Sequence, residues 1–97
     1  MKNLVYGEVQ FLVDDESADA IVDYAVLMAK TGSADSVTLY VIGPDGNREQ
    51  TKFAIGPASM VSAETTRSEL EQPDNSAAIE YMRKKTELFG GYPDNPF

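Results

Sequence analysis

The 97-residue sequence contains no histidine, no cysteine and no tryptophan. Histidine and cysteine supply most side chains that titrate near neutral pH, most thiolate nucleophiles and most transition-metal ligands. Their joint absence excludes zinc centres, cysteine proteases, redox dithiols, disulfides and Ser-His-Asp triads. A serine nucleophile would need lysine as its base, and no S-x-x-K tetrad occurs. Gly43-Pro44-Asp45-Gly46 and Gly90-Gly91 match neither phosphate-loop pattern, G-x-G-x-x-G or G-x-x-x-x-G-K, and read as turns. A two-carboxylate glycoside hydrolase needs a cleft that raises one pKa; a small chain with no tryptophan and no evident groove offers none.

Long apolar runs are missing too. The longest, Tyr24–Ala29, is about a third of the roughly 20 residues a membrane helix requires. Lys2 is followed only by Leu4-Val5-Tyr6 before Gly7 and Glu8 interrupt, too little for a secretory h-region. With no disulfide framework to suggest export, a cytoplasmic location is expected. Positive charge is scarce: 8 basic against 16 acidic residues give a net charge of −8. That balance works against nucleic-acid backbones and anionic membranes and suits a basic partner. Arg83-Lys84-Lys85, flanked by Glu80 and Glu87, reads as a solvated helical face with i,i+4 pairs.

What is present describes a globular domain. A hydrophobic fraction of 42% with 25% charged residues is ordinary for a packed protein and argues against disorder. The length allows one domain and one core, assigned to residues 1–89, with 90–97 an irregular tail.

Asn3–Val13 alternates and predicts one strand. Val5, Val9, Phe11 and Val13 lie on its core side, Leu4, Tyr6, Glu8, Gln10 and Leu12 on the other, with Gly7 a bulge. Asp14 or Asp15 then caps a helix from about Glu16 to Lys30. Ala18, Ile21, Val22, Ala25, Met28 and Ala29 form its apolar stripe, and Gly32 suits the left-handed position after it. Val37–Gly43 and Arg48–Gly56 form a hairpin about the Gly43–Asn47 turn. Ser59–Thr66 reads as a further strand. Asp74, Asn75 or Ser76 caps a second helix from about Ala77 to Phe89. The expected fold is α+β, in the order β-α-β-β-β-α, with a four-stranded mixed, mostly antiparallel sheet and both helices on one face. Its first strand–helix–strand unit is a right-handed parallel crossover.

Asp14, Asp15, Glu16, Asp19 and Asp23 form the densest acidic cluster. Hard cations take such oxygen ligands, but the spacing fits no EF-hand, and capping plus a solvated helix face account for the acids. No catalytic, cofactor or metal residue is assigned. The uncovered sheet face would carry Leu4, Tyr6, Leu12, Tyr40, Ile42 and Ala54 among polar residues, a mixture typical of an interface. The alternative is that the 67–75 connector or the tail folds back over them. The expectation is an acidic domain that acts by binding, as a homodimer through this face, without nucleic-acid or membrane contacts. One alternative is an acidic regulator of a basic protein partner, a nucleic-acid charge mimic or antitoxin-like protein. Another is a small ligand-binding protein or enzyme with a pocket at a subunit interface.

Overall fold

The N-terminal alternation does not run through Gly7. The computed structural model describes residues 1–89 and divides the expected first strand into β1 (Lys2–Tyr6) and β2 (Val9–Val13). They pair antiparallel from Tyr6↔Val9 to Lys2↔Val13. Gly7 has φ +63° and Glu8 does not share the positive sign. A positive φ at the first of two loop residues is the II′ pattern, whose twist matches that of the strands it joins. The expected bulge is therefore a full reversal of the chain. In one continuous strand, Leu4 and Phe11 would point to opposite sides. In the hairpin they are cross-strand partners on the same side.

The other elements are α1 (Asp15–Thr31), β3 (Asp35–Ile42), β4 (Arg48–Ile55), β5 (Val61–Thr65) and α2 (Ser76–Phe89). Their local chemistry follows the sequence. Asp14 accepts the Ser17 N–H at 3.1 Å and caps α1. Gly32, at φ +64°, closes it with an N–H bond to the Met28 carbonyl. The β3–β4 hairpin pairs from Asp35↔Ile55 to Ile42↔Arg48. The order is thus β-β-α-β-β-β-α, and five antiparallel strands lie in the order β4-β3-β2-β1-β5. This corrects the four-stranded mixed sheet. The extra reversal before α1 leaves β2 and β3 antiparallel, so no parallel crossover forms. The proposed tail, 90–97, lies outside the described residues.

β4 and β5 are opposite edges of the sheet, yet residues 56–60 join them. A flat five-stranded sheet would hold its edges roughly 19 Å apart, and this link contains a turn, Ser59 N–H to Gly56 O. The sheet therefore curls. Tyr6 of β1 meets Phe53 of β4 at 5.4 Å between ring centroids, and Phe11 of β2 meets the same ring edge-on at 5.3 Å. The Tyr6 hydroxyl donates to the Ala54 carbonyl. α1 packs on this concave side against β1, β4 and β5, and α2 packs on α1 and β3. Leu4, Val13, Ile21, Tyr24, Leu39, Ile55 and Met82 are buried between these layers. The Ser17 hydroxyl is buried there with no hydrogen-bond partner among the described residues.

One seam interrupts the sheet. β2 and β3 pair only at Leu12↔Ile42. Continuing that register would set Asp14 opposite Tyr40, but there the chain turns into α1. Asn75, 4% exposed, fills the gap from the residue before α2. Its Oδ1 accepts the Tyr40 N–H at 2.7 Å, and its Nδ2 donates to the Tyr40 carbonyl at 2.9 Å and to Asp14 Oδ1 at 3.0 Å. Its own carbonyl accepts the Ile79 N–H at 2.9 Å and starts α2.

Two stability predictions follow from this packing. Leu4→Ala removes a fully buried side chain and should cost about 2–5 kcal/mol, whereas Val5→Ala, on the outer face, should cost about 1 kcal/mol or less. Urea unfolding of both variants measures the difference, and equal losses would contradict the hairpin parity. Asn75→Ala orphans both backbone groups of Tyr40 and should cost about 3 kcal/mol. Asn75→Asp keeps the shape but sets a carboxylate against Asp14. Its loss should be comparable at pH 7 and partly recovered near pH 4, where carboxyl groups begin to protonate.

Candidate functional site

The six residues expected on the uncovered face do not share it. Leu4, 0% exposed, and Tyr6 point to the helix side, because the Gly7 reversal exchanges their parity. Ile42 faces outward with Leu12 but is only 1% exposed. Leu12 is half-buried, while Ala54 and Tyr40, the latter 53% exposed, reach solvent. Val5 joins them through the same parity change. The outer face is accordingly more polar than its sequence suggested, with Thr38, Gln50, Lys52 and Ser62 open to water.

The connector between β5 and α2 returns across one end of this face. The Arg48 guanidinium donates to the Glu71 carbonyl at 2.6 Å, and Asn75 then anchors the segment at Tyr40. A groove of about 630 Å³ remains between the connector and the ends of β3 and β4. Tyr40 and Pro73 give it apolar walls; Glu71 and Asp74 of the connector give it negative charge. Among the described residues, Arg48 is the one cation lining it. A shallower depression continues past Pro73 and Asp74 to Asp14, Glu16 and Glu80. Sequence reasoning named the connector as a possible cover but had no signal for the Arg48–Glu71 contact, which depends on the path of a segment without periodicity.

The acidic residues of α1 divide among separate partners. Asp14 caps the helix and meets Asn75, Asp19 pairs with Lys2 at 2.8 Å, and Asp23 pairs with Arg83 at 3.1 Å. Among the described residues, no group of three or more such side chains is arranged to hold a metal ion. The Arg83-Lys84-Lys85 cluster is similarly dispersed, with Lys84 3.5 Å from Glu80.

A second polar centre was not anticipated. Asp35, at the start of β3, accepts the Tyr24 hydroxyl at 2.5 Å and the Tyr81 hydroxyl at 2.6 Å on the same oxygen. Its other oxygen accepts the Ser36 N–H at 2.8 Å. Burial opposes the charge of this carboxylate. The hydrogen bonds from Tyr24, Tyr81 and Ser36, with the nearby Lys85 charge, outweigh burial and hold its pKa below the usual value. Burial and the Asp35 carboxylate together raise the Tyr24 pKa far above its ordinary value. The Tyr81 pKa is also raised, chiefly by its hydrogen bond to Asp35. The phenols thus act as fixed donors and the carboxylate as an anion. Tyr24 and Tyr81 belong to different helices, so Asp35 ties both to the sheet. The two tyrosines look like core and surface residues in the sequence, and only the α1–β3 turn brings an aspartate between them.

Because the folded pKa of Asp35 is depressed, its contribution to stability is present above the ordinary carboxylate value and is lost as pH falls through the folded value. Asp35→Asn should therefore cost about 1–2 kcal/mol at pH 7, the value reduced by partial solvent contact. The gap between wild type and variant should narrow progressively as pH falls below the ordinary carboxylate range. Urea midpoints across that range measure it, and a gap independent of pH would refute the charged role.

Comparison with protein-family models, curated proteins and solved structures gives no match, so function is read from this geometry alone.

Proposed function

We propose that the chain is a non-catalytic binding domain that docks a basic segment of a protein partner in the groove beside Tyr40. The observation that carries this reading is the groove's chemistry: an exposed aromatic ring beside Glu71 and Asp74, with Arg48, the only cation lining it among the described residues, already donating to the Glu71 backbone carbonyl. A guanidinium or ammonium can lie on the tyrosine face while carboxylates neutralise it. The net charge of −8 would attract such a segment from a distance. Half-exposed tyrosine is also a frequent anchor at protein interfaces.

A cytoplasmic site of action is part of the proposal. A cysteine-free chain is compatible with a reducing compartment, and no helix among the described residues is long and apolar enough to cross a membrane. A homodimer through the outer face draws on Val5, Leu12, Tyr40 and Ala54. It has lost Leu4, Tyr6 and Ile42 as exposed contributors, so a basic partner is the better-supported reading.

The test uses a fluorescently labelled peptide of alternating arginine and serine. Anisotropy should report binding that weakens about tenfold between about 50 and 500 mM salt. Tyr40→Ala should weaken it about tenfold further at low salt. Glu64→Gln, on the outer face of β5 away from the groove, should leave affinity within about twofold, since exposed charges contribute little at a distance. Binding indifferent to Tyr40→Ala would overturn the proposal. So would a stable dimer in light scattering that dissociates on Tyr40→Arg, which would assign the face to a second copy.

A further inference from the structure

The Asp35 centre opens onto a cavity of about 310 Å³, separate from the groove and bounded by α1, the turn before β3 and α2. Met28 and Phe89 supply apolar wall, and Tyr24, Asp35 and Lys85 supply its polar edge. This volume falls at the small end of ordinary ligand sites, about 300–1,000 Å³. Two opposite charges face the space without forming an ion pair with each other. Asp35 is oriented by Tyr24, Tyr81 and the Ser36 N–H. The Lys85 ammonium lies 5.6 Å from the Tyr81 ring centroid and 5.2 Å from that of Phe89. Among the described residues, Lys85 has neither a hydrogen-bond acceptor nor a salt-bridge partner.

This arrangement has a particular complement. The ammonium keeps three donors for a ligand anion. The carboxylate and the phenol oxygen of Tyr24 keep lone pairs for a ligand cation. A simple carboxylate would bind Lys85 but be repelled by Asp35. A simple amine would bind Asp35 but be repelled by Lys85. A zwitterion satisfies both, and an apolar substituent on it would cover Met28 and Phe89. We propose that this cavity binds a free α-amino acid with an apolar side chain, its carboxylate on Lys85 and its ammonium on Asp35.

The experiment is a titration of the full 97-residue chain with L-leucine and L-phenylalanine, followed by calorimetry and by the NMR signal of the Met28 methyl group. At least one amino acid should bind with a dissociation constant of about 1 mM or tighter and shift that signal. Two truncated analogues of leucine, 4-methylpentanoate without the ammonium and 3-methylbutylamine without the carboxylate, should each bind at least about tenfold more weakly. Lys85→Met should weaken the amino acid about tenfold or more and tighten binding of the amine, from which it removes a repelling charge. The ligand series on the unaltered chain decides the matter even if the variant misfolds. No shift of the Met28 methyl at about 10 mM amino acid would overturn the proposal, as would equal binding of either truncated analogue. The readouts do not involve Tyr40, so this site and the groove succeed or fail independently.

Discussion

The fold depends on one side-chain amide. β2 leaves the sheet after a single backbone pair with β3, and the backbone of Tyr40 faces a space where a strand would have been. The Asn75 amide presents one acceptor and one donor at peptide spacing and meets both Tyr40 groups. In effect it is a one-residue strand supplied by a side chain. Unpaired backbone groups inside a protein are costly enough that nearly all find partners, and here the partner also sets where α2 begins. Its second donor bond reaches Asp14, which caps α1. The starts of both helices and the middle of β3 are thus fixed by the same few atoms.

Both functional proposals inherit their geometry from that junction. The connector arrives at Asn75 after bonding to Arg48, which shapes the groove over Tyr40. α2 departs from Asn75 and carries Tyr81 back along β3 to Asp35. The two sites therefore lie at opposite ends of the same strand, one acidic and open, the other charge-balanced and smaller. An acidic protein gains long-range attraction for basic segments from its net charge. It gains no such help for a neutral zwitterion, which must be recognised by contacts inside the cavity.

Much of the fold was legible where it rested on local rules. Asp14 as a cap, Gly32 as a left-handed stop and the Gly43–Asn47 turn are decided within a few residues, and the structure places them as the sequence implied. The first strand misled because Gly7-Glu8 interrupts no alternation. A two-residue reversal preserves the period while exchanging the faces, so a pattern of apolar residues fits a straight strand equally well. The only signal against it was a glycine followed by one residue, the composition of a II′ loop. That single misreading moved Leu4 and Tyr6 to the wrong side and added a parallel crossover. The Asn75 and Asp35 networks were illegible for another reason. Both unite residues distant in sequence, at separations of 35, 61 and 46 positions, and pairings of that range have no local signature.

The curl of the sheet carries a consequence for how the molecule behaves in a crowd. An outermost strand normally exposes a row of free carbonyls and amides on which a neighbouring chain can polymerise. Here the roll of the sheet brings the Tyr6 hydroxyl onto the Ala54 carbonyl, and the same strand carries Lys52 in solvent. An intruding strand would have to displace a phenol and seat itself against a lysine. By bending far enough to touch itself, the sheet guards part of its own margin against the stacking that leads to fibrils.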